Sequence, residues 1–216
     1  MVRFPTLKLV TLMAGLVMAG SATAESSPNT LTPTESHDGW VLLFDGKSLN
    51  GWVPRGTGST ETLEAAEDWK VENGAIVCGG TRSSWLSGDT SFSDYSLRLE
   101  FRGSEKVNSG VFIRSQKEGA PHRTGYEVQI WDYQPTGFNT GSLMGSLKVT
   151  SPEKILAGQW NRFEITANGE RFVIVLNGKT VLDGHNLKHA SGVVGFQCQR
   201  DNPIEFRNIK LRPIAK

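Results

Sequence analysis

The chain has 216 residues, 23 Lys and Arg against 22 Asp and Glu, and two cysteines. Its length favours one large domain over two small ones. Near-neutral charge argues against a nucleic-acid partner, which needs a basic face. The even spread of Val, Ile, Leu, Phe and Trp argues against disorder, and two cysteines are too few for a disulfide-stapled miniature scaffold.

Residues 1–24 have the pattern of a secretory signal peptide. Arg3 and Lys8 supply the positive n-region, an apolar run extends from Leu9 to Gly20, and Ala22-Thr23-Ala24 is an A-x-A cleavage site. The run is well short of the roughly 20 residues that a spanning helix needs. No membrane span is therefore expected after cleavage, and the expected location is the bacterial periplasm or the medium. Residues 25–37 are polar and rich in Pro, Ser and Thr, and are expected to form a flexible lead-in to a single domain over 38–216. An oxidising compartment permits a bridge between Cys78 and Cys198; two buried free thiols are the alternative.

Strand signals dominate from Trp40 onward. Tyr95, Leu97, Leu99 and Phe101 alternate with Ser96, Arg98, Glu100 and Arg102, which is period two. Phe163 and Ile165 repeat the pattern, and the apolar run 171–176 predicts a strand covered on both faces. Asn73-Gly74, Asn168-Gly169 and Asn177-Gly178 predict hairpin turns. Residues 61–68 are compatible with a short helix or a loop. The expected fold is all-β: an antiparallel two-sheet β-sandwich or barrel in one domain.

No dinucleotide, P-loop, CxxC, HExxH or GxSxG motif is present. The informative stretch is 108–132. In one strand candidate Val111 and Ile113 share a face, opposite Asn108, Gly110, Phe112 and Arg114. In the next, Tyr126, Val128 and Ile130 oppose Glu127, Gln129 and Trp131. The polar face thus collects amides, a guanidinium, a carboxylate and rings, a set suited to gripping sugar hydroxyls and stacking on a sugar's C–H face. A plain solvated face with an Arg114–Glu127 pair is the alternative. His122 precedes the Glu127 strand and is either a base over the same face or a loop residue. His185 and His189, four apart in a loop composition, are weak metal candidates. Trp131 and Trp85 are candidate sugar platforms.

The ordered motifs resemble a known family. Residues 39–52, GWVLLFDGKSLNGW, are similar to the LFDGKxLxGW opening of the 3-keto-disaccharide hydrolase domain family. The hairpin 69–78, NSGVFIR at 108–114, GYEVQIWD at 125–132, TGSLMG at 140–145, QWNR at 159–162, LNG at 176–178 and the run from Ser191 to Ile209 follow in the family's order. Met144 stands where the family often has Tyr. The stretch after Gln197 lacks the His of an Asp-His-Gly loop seen in many members.

The resemblance implies a concanavalin-like jelly roll and cleavage of glycosides whose sugar is oxidised at C3. A C3 ketone acidifies the C2 proton, so such a site needs a base, an oxyanion stabiliser and sugar grips. On that basis Glu127 or His122 is expected as base, and Arg114 as stabiliser, alone or with a divalent metal. Asn108, Gln129 and Gln197 are expected to hold hydroxyls and Trp131 to stack, with Asp132 and Glu205 as secondary carboxylates. The expected partner is a small saccharide or glycoside. The alternatives are a non-catalytic lectin-like protein and an envelope interaction module.

Overall fold

The computed structural model describes residues 27–56 and 66–215. The expected signal peptide and most of the segment 61–68 lie outside them. Among the described residues, thirteen strands form two antiparallel sheets. The first contains β1 (Val41–Leu42), β3 (Trp69–Glu72), β4 (Ala75–Cys78), β6 (Tyr95–Gly103), β9 (Asn161–Asn168), β10 (Arg171–Leu176), β11 (Lys179–His185) and β13 (Ile204–Pro213). Its order is β11-β10-β9-β6-β13-β4-β3, with β1 also on β13. The second contains β2 (Trp52–Gly56), β5 (Ser84–Phe92), β7 (Ser109–Ser115), β8 (Tyr126–Ile130) and β12 (Gly192–Cys198), in the order β2-β5-β12-β7-β8. The fold is the expected β-sandwich.

Period-two alternation builds the interior. Tyr95, Leu97, Leu99 and Phe101 are all buried, and Leu97 and Leu99 pair with Ile165 and Phe163 of β9. Phe206 of the larger sheet stacks on Phe196 of the smaller, which stacks in turn on Trp52, with ring centroids 4.3 and 5.1 Å apart. Cys78 and Cys198 are disulfide-bonded across the two sheets, from β4 to β12.

Two expectations need correction. The strand β10 is covered on one face only: Phe172, Ile174 and Leu176 are buried, while Val173 and Val175 are half-buried. Its apolar character reflects β-branched preference on a half-open face. Between β9 and β10 the hairpin forms, but its closing pair is Asn168 with Arg171, so Gly169 and Glu170 make the turn. Gly169 takes a positive φ of 56°, the position at which a II′ turn requires glycine.

The lead-in makes more contact than its composition suggests. Asn29 and Asn208 each accept the other's backbone N–H on their side-chain oxygens, at 2.6 and 2.9 Å. A short helix α1 (Pro33–His37) follows, opened by a Thr32–Glu35 capping box. Glu35 also pairs with the buried Lys210 at 2.8 Å.

Candidate active face on the smaller sheet

Three of the candidate residues, Glu127, Gln129 and Gln197, sit on the outer face of the five-stranded sheet, set there by register. Val111, Ile113, Tyr126, Val128 and Ile130 enter the main core as alternation predicts. The opposite positions form two rows across the strands. One row runs Val53, Ser87, Gly195, Phe112, Glu127, each paired with the next. In the other, Arg55 pairs with Trp85, Trp85 with Gln197, and Gly110 with Gln129. The pairing of Phe196 with Val111 sets Gln197 beside Gly110.

Glu127 is the distinctive group. It is 6% exposed, and no hydrogen bond or ion pair reaches its carboxylate among the described residues. Its side chain lies over Gly110, where any β-carbon would collide with it. Burial alone pushes its pKa up to about 7. Gln129 beside it is 3% exposed. Its Oε1 accepts from the Ile130 N–H at 3.1 Å, and its Nε2 donates to the Met144 sulfur at 3.2 Å. The carbonyl side of this amide is thereby tied down, and its N–H donors face a weak acceptor that a better one can replace.

The free edge of β8 is covered by 141–144. Gly141 and Met144 donate their N–H groups to the Gln129 and Glu127 carbonyls, both at 2.9 Å. Trp85, Phe112 and Val193 form a small buried cluster on the same face. The rings of Trp85 and Phe112 meet edge-on at 5.7 Å.

The structure moves several expected residues away. Arg114 does not lie on the Glu127 face. Its positive φ of 52° breaks the alternation, and its side chain is wholly buried against the other sheet, 5.2 Å from the Phe172 ring. All its nitrogens are used: Nε donates to the Ser93 carbonyl, Nη1 to those of Gly169 and His189, and Nη2 to Asp94 at 2.9 Å. It pins the end of the sandwich and offers no donor to a substrate.

Asp132 is likewise engaged, accepting from Thr140 Oγ1 at 2.5 Å and from the Ile155 N–H at 3.0 Å. It anchors the 132–155 loop. Glu205 pairs with Arg102 on the larger sheet. His122 is exposed in a short helix α2 (Pro121–Thr124). Burial and the neighbouring Arg123 lower its pKa, and no contact joins it to Glu127.

Trp85 is fully buried, so it is no open platform. Asn108 and Trp131 are half-buried, just before β7 and just after β8; the Asn108 N–H donates to Asn202 Oδ1 at 2.8 Å. Gln197 is half-buried in the second row. Arg55 was invisible to alternation because Pro54 disguises β2, an edge strand where proline is tolerated.

The face brings one carboxyl together with amides, an indole and a guanidinium. Among the described residues no three His, Cys, Asp or Glu side chains gather as a metal set. Around Glu127 the donors are amides, a poor match for a divalent transition metal.

Two antiparallel sheets packed face to face make this a jelly-roll β-sandwich. Residues 39–212 match the 3-keto-alpha-glucoside-1,2-lyase-like domain, and the chain belongs to that family. It is 29% identical to a 3-keto-disaccharide hydrolase of Bacteroides thetaiotaomicron, over 80% of this chain and 73% of that protein. A solved structure of a candidate glycosyl hydrolase from Parabacteroides distasonis superposes with a TM-score of 0.74 at 21% identity, over 88% of this chain and all of that one. The carbohydrate-binding module CBM66 from Bacillus subtilis shares the fold with a TM-score of 0.54 at 19% identity, over 74% of this chain and 94% of the module. No described helix is long and apolar enough to cross a membrane.

Proposed function

We propose that the protein is an exported enzyme that cleaves glycosides carrying a ketone at C3 of the sugar. The observation that carries this reading is Glu127: a buried, unpartnered carboxyl held near neutrality on a polar face. A general base works best with a pKa close to the working pH. The carboxylate of Glu127 takes the proton from C2, and the C2–H electrons form the enolate of the C3 ketone. Gln129, whose N–H donors face only the Met144 sulfur, stabilises the developing oxyanion. The enolate collapses, the C1–C2 double bond forms, and the bond from C1 to the leaving oxygen breaks. The proton on Glu127 passes to that oxygen, which restores the base. Water then adds its oxygen at C1 and a proton at C2, completing a net hydrolysis.

The lectin-like alternative draws on the withdrawal of Arg114 from the face, which removes the expected oxyanion partner. The two are separated by incubating the mature protein with 3-keto disaccharides and aryl 3-keto-glucosides, with and without added divalent metal. Release of the aglycone that is lost in Glu127→Gln supports the enzyme. Saturable binding of unoxidised sugars without release, unchanged in Glu127→Gln, supports the lectin. Export is tested by sequencing the N-terminus of the secreted form, expected at Glu25.

A further inference from the structure

The chain has four methionines. Met1, Met13 and Met18 fall within the expected signal peptide, so cleavage after Ala24 leaves Met144 as the sole methionine of the mature protein. Both cysteines are tied up in the buried bridge between the sheets. Met144 is then the only reduced sulfur left, and it stands on the candidate active face.

Its placement there is specific. The Met144 N–H donates to the Glu127 carbonyl at 2.9 Å, and its sulfur accepts from Gln129 Nε2 at 3.2 Å. Met144 therefore touches both residues of the proposed chemistry from the segment that covers the edge of β8. Leu143 before it is buried in the main core, and Gly145 after it is exposed. Met144 itself is half-buried and belongs to neither buried cluster, so part of it meets solvent.

A thioether is a weak hydrogen-bond acceptor, whereas oxidation makes the side chain a polar sulfoxide with an exposed oxygen. The oxidant is a peroxide. The sulfur lone pair attacks one peroxide oxygen, an S–O bond forms and the O–O bond breaks. The proton on the transferred oxygen passes to the departing hydroxide, which leaves as water. The sulfur loses two electrons and the peroxide gains them.

We infer that Met144 is an oxidation site whose sulfoxide oxygen captures the Gln129 N–H and so switches the face off. The unbranched side chain has three rotatable bonds, which lets the sulfur withdraw and the new oxygen take its place opposite Nε2. The thioether gives up this donor to a developing oxyanion, a far stronger acceptor, and the sulfoxide holds it. This assignment rests on the function proposed above.

The test treats the mature protein with hydrogen peroxide, with Met144→Leu treated alongside. Peptide mapping should find one added oxygen, on Met144, with circular dichroism unchanged. Losing one donor to an oxyanion costs roughly 100- to 1,000-fold in kcat, so release of the aglycone from 3-keto-glycosides is expected to fall at least tenfold in step with oxidation. Methionine sulfoxide reductase should restore it. Met144→Leu should keep its own untreated rate within twofold. Two results overturn the assignment: a Met144 that oxidises in urea but not in the native protein, or an oxidised protein whose rate stays within twofold of the untreated one.

If the untreated protein turns over no 3-keto-glycoside, the enzymatic reading fails on its own. The contact is then judged by nuclear magnetic resonance. The Gln129 side-chain NH2 signals, identified by their loss in Gln129→Leu, should move downfield and exchange more slowly after oxidation, which upholds Met144 as an oxidation site acting on Gln129. Unmoved signals overturn it.

Discussion

Glu127 lies so closely over Gly110 that a β-carbon on that glycine would sit 2.6 Å from Glu127 Oε1. The proposed base is therefore placed by the missing side chain of a residue on the neighbouring strand. Gly110 has no positive φ, so its role is space, not backbone freedom. Gly110→Ala is expected to push the carboxyl aside, and a misplacement of about 1 Å can cost roughly 100-fold in rate. Steady-state kinetics should show kcat reduced by about that factor, with circular dichroism unchanged. A rate within threefold of the unmodified protein refutes the placement.

The raised pKa of Glu127 has two consequences with opposite signs. As a base it must be ionised, so kcat/KM should rise with pH and level off above an apparent pKa of about 7. Stability should move the other way. The unfolded carboxyl titrates near 4.5 and the folded one near 7, so the native state holds a proton that the unfolded chain has released. Stability therefore falls as pH rises through that window, by roughly 3 kcal/mol if the full shift is expressed. Glu127→Gln should abolish both the activity and this slope, and urea titrations at pH 5 and 8 measure the second.

Arg114 makes a different prediction. Its guanidinium is wholly buried and tied to Asp94 and three carbonyls. Removing one partner of a buried pair strands the other and typically costs about 3–5 kcal/mol. Arg114→Met should lose stability on that scale in denaturant titration, while the kcat of the folded fraction falls less than threefold. Loss of kcat without loss of stability would return Arg114 to the chemistry.

The contrast between Arg114 and Glu127 shows what alternation can reveal. Both follow a period-two pattern in the sequence, and the pattern placed Glu127 and Gln129 on one face, where their pairing with Phe112 and Gly110 sets them. It failed at Arg114 because the left-handed backbone there turns the side chain out of the alternation, and nothing local in NSGVFIR announces that turn. Asp132 failed for another reason: its partners Thr140 and Ile155 are distant in sequence, and loop anchoring of this kind has no periodic signal. The sandwich itself was legible because its strands repeat a simple physical rule. Trp85 read as a candidate sugar platform, and its burial was not legible, since its cover comes from Phe112 and Val193 on other strands.

The bridge between Cys78 and Cys198 closes a separation of 120 residues and joins the larger sheet to β12, the strand that carries Gln197. In the chain-entropy account a loop of that length restricts the unfolded state strongly, and losing such a bridge typically costs about 2–5 kcal/mol. Both sulfurs are inaccessible, so reductant should act only on unfolding molecules. Urea midpoints should fall sharply for Cys78→Ala/Cys198→Ala, and the native protein should resist dithiothreitol until denaturant is added. Because Cys198 directly follows Gln197, loosening β12 should also weaken sugar recognition. The double variant is therefore expected to raise KM for disaccharides more than it lowers kcat. An unchanged KM in the folded variant would mean that the pairing of β12 with β5 and β7 alone holds the site strand in place.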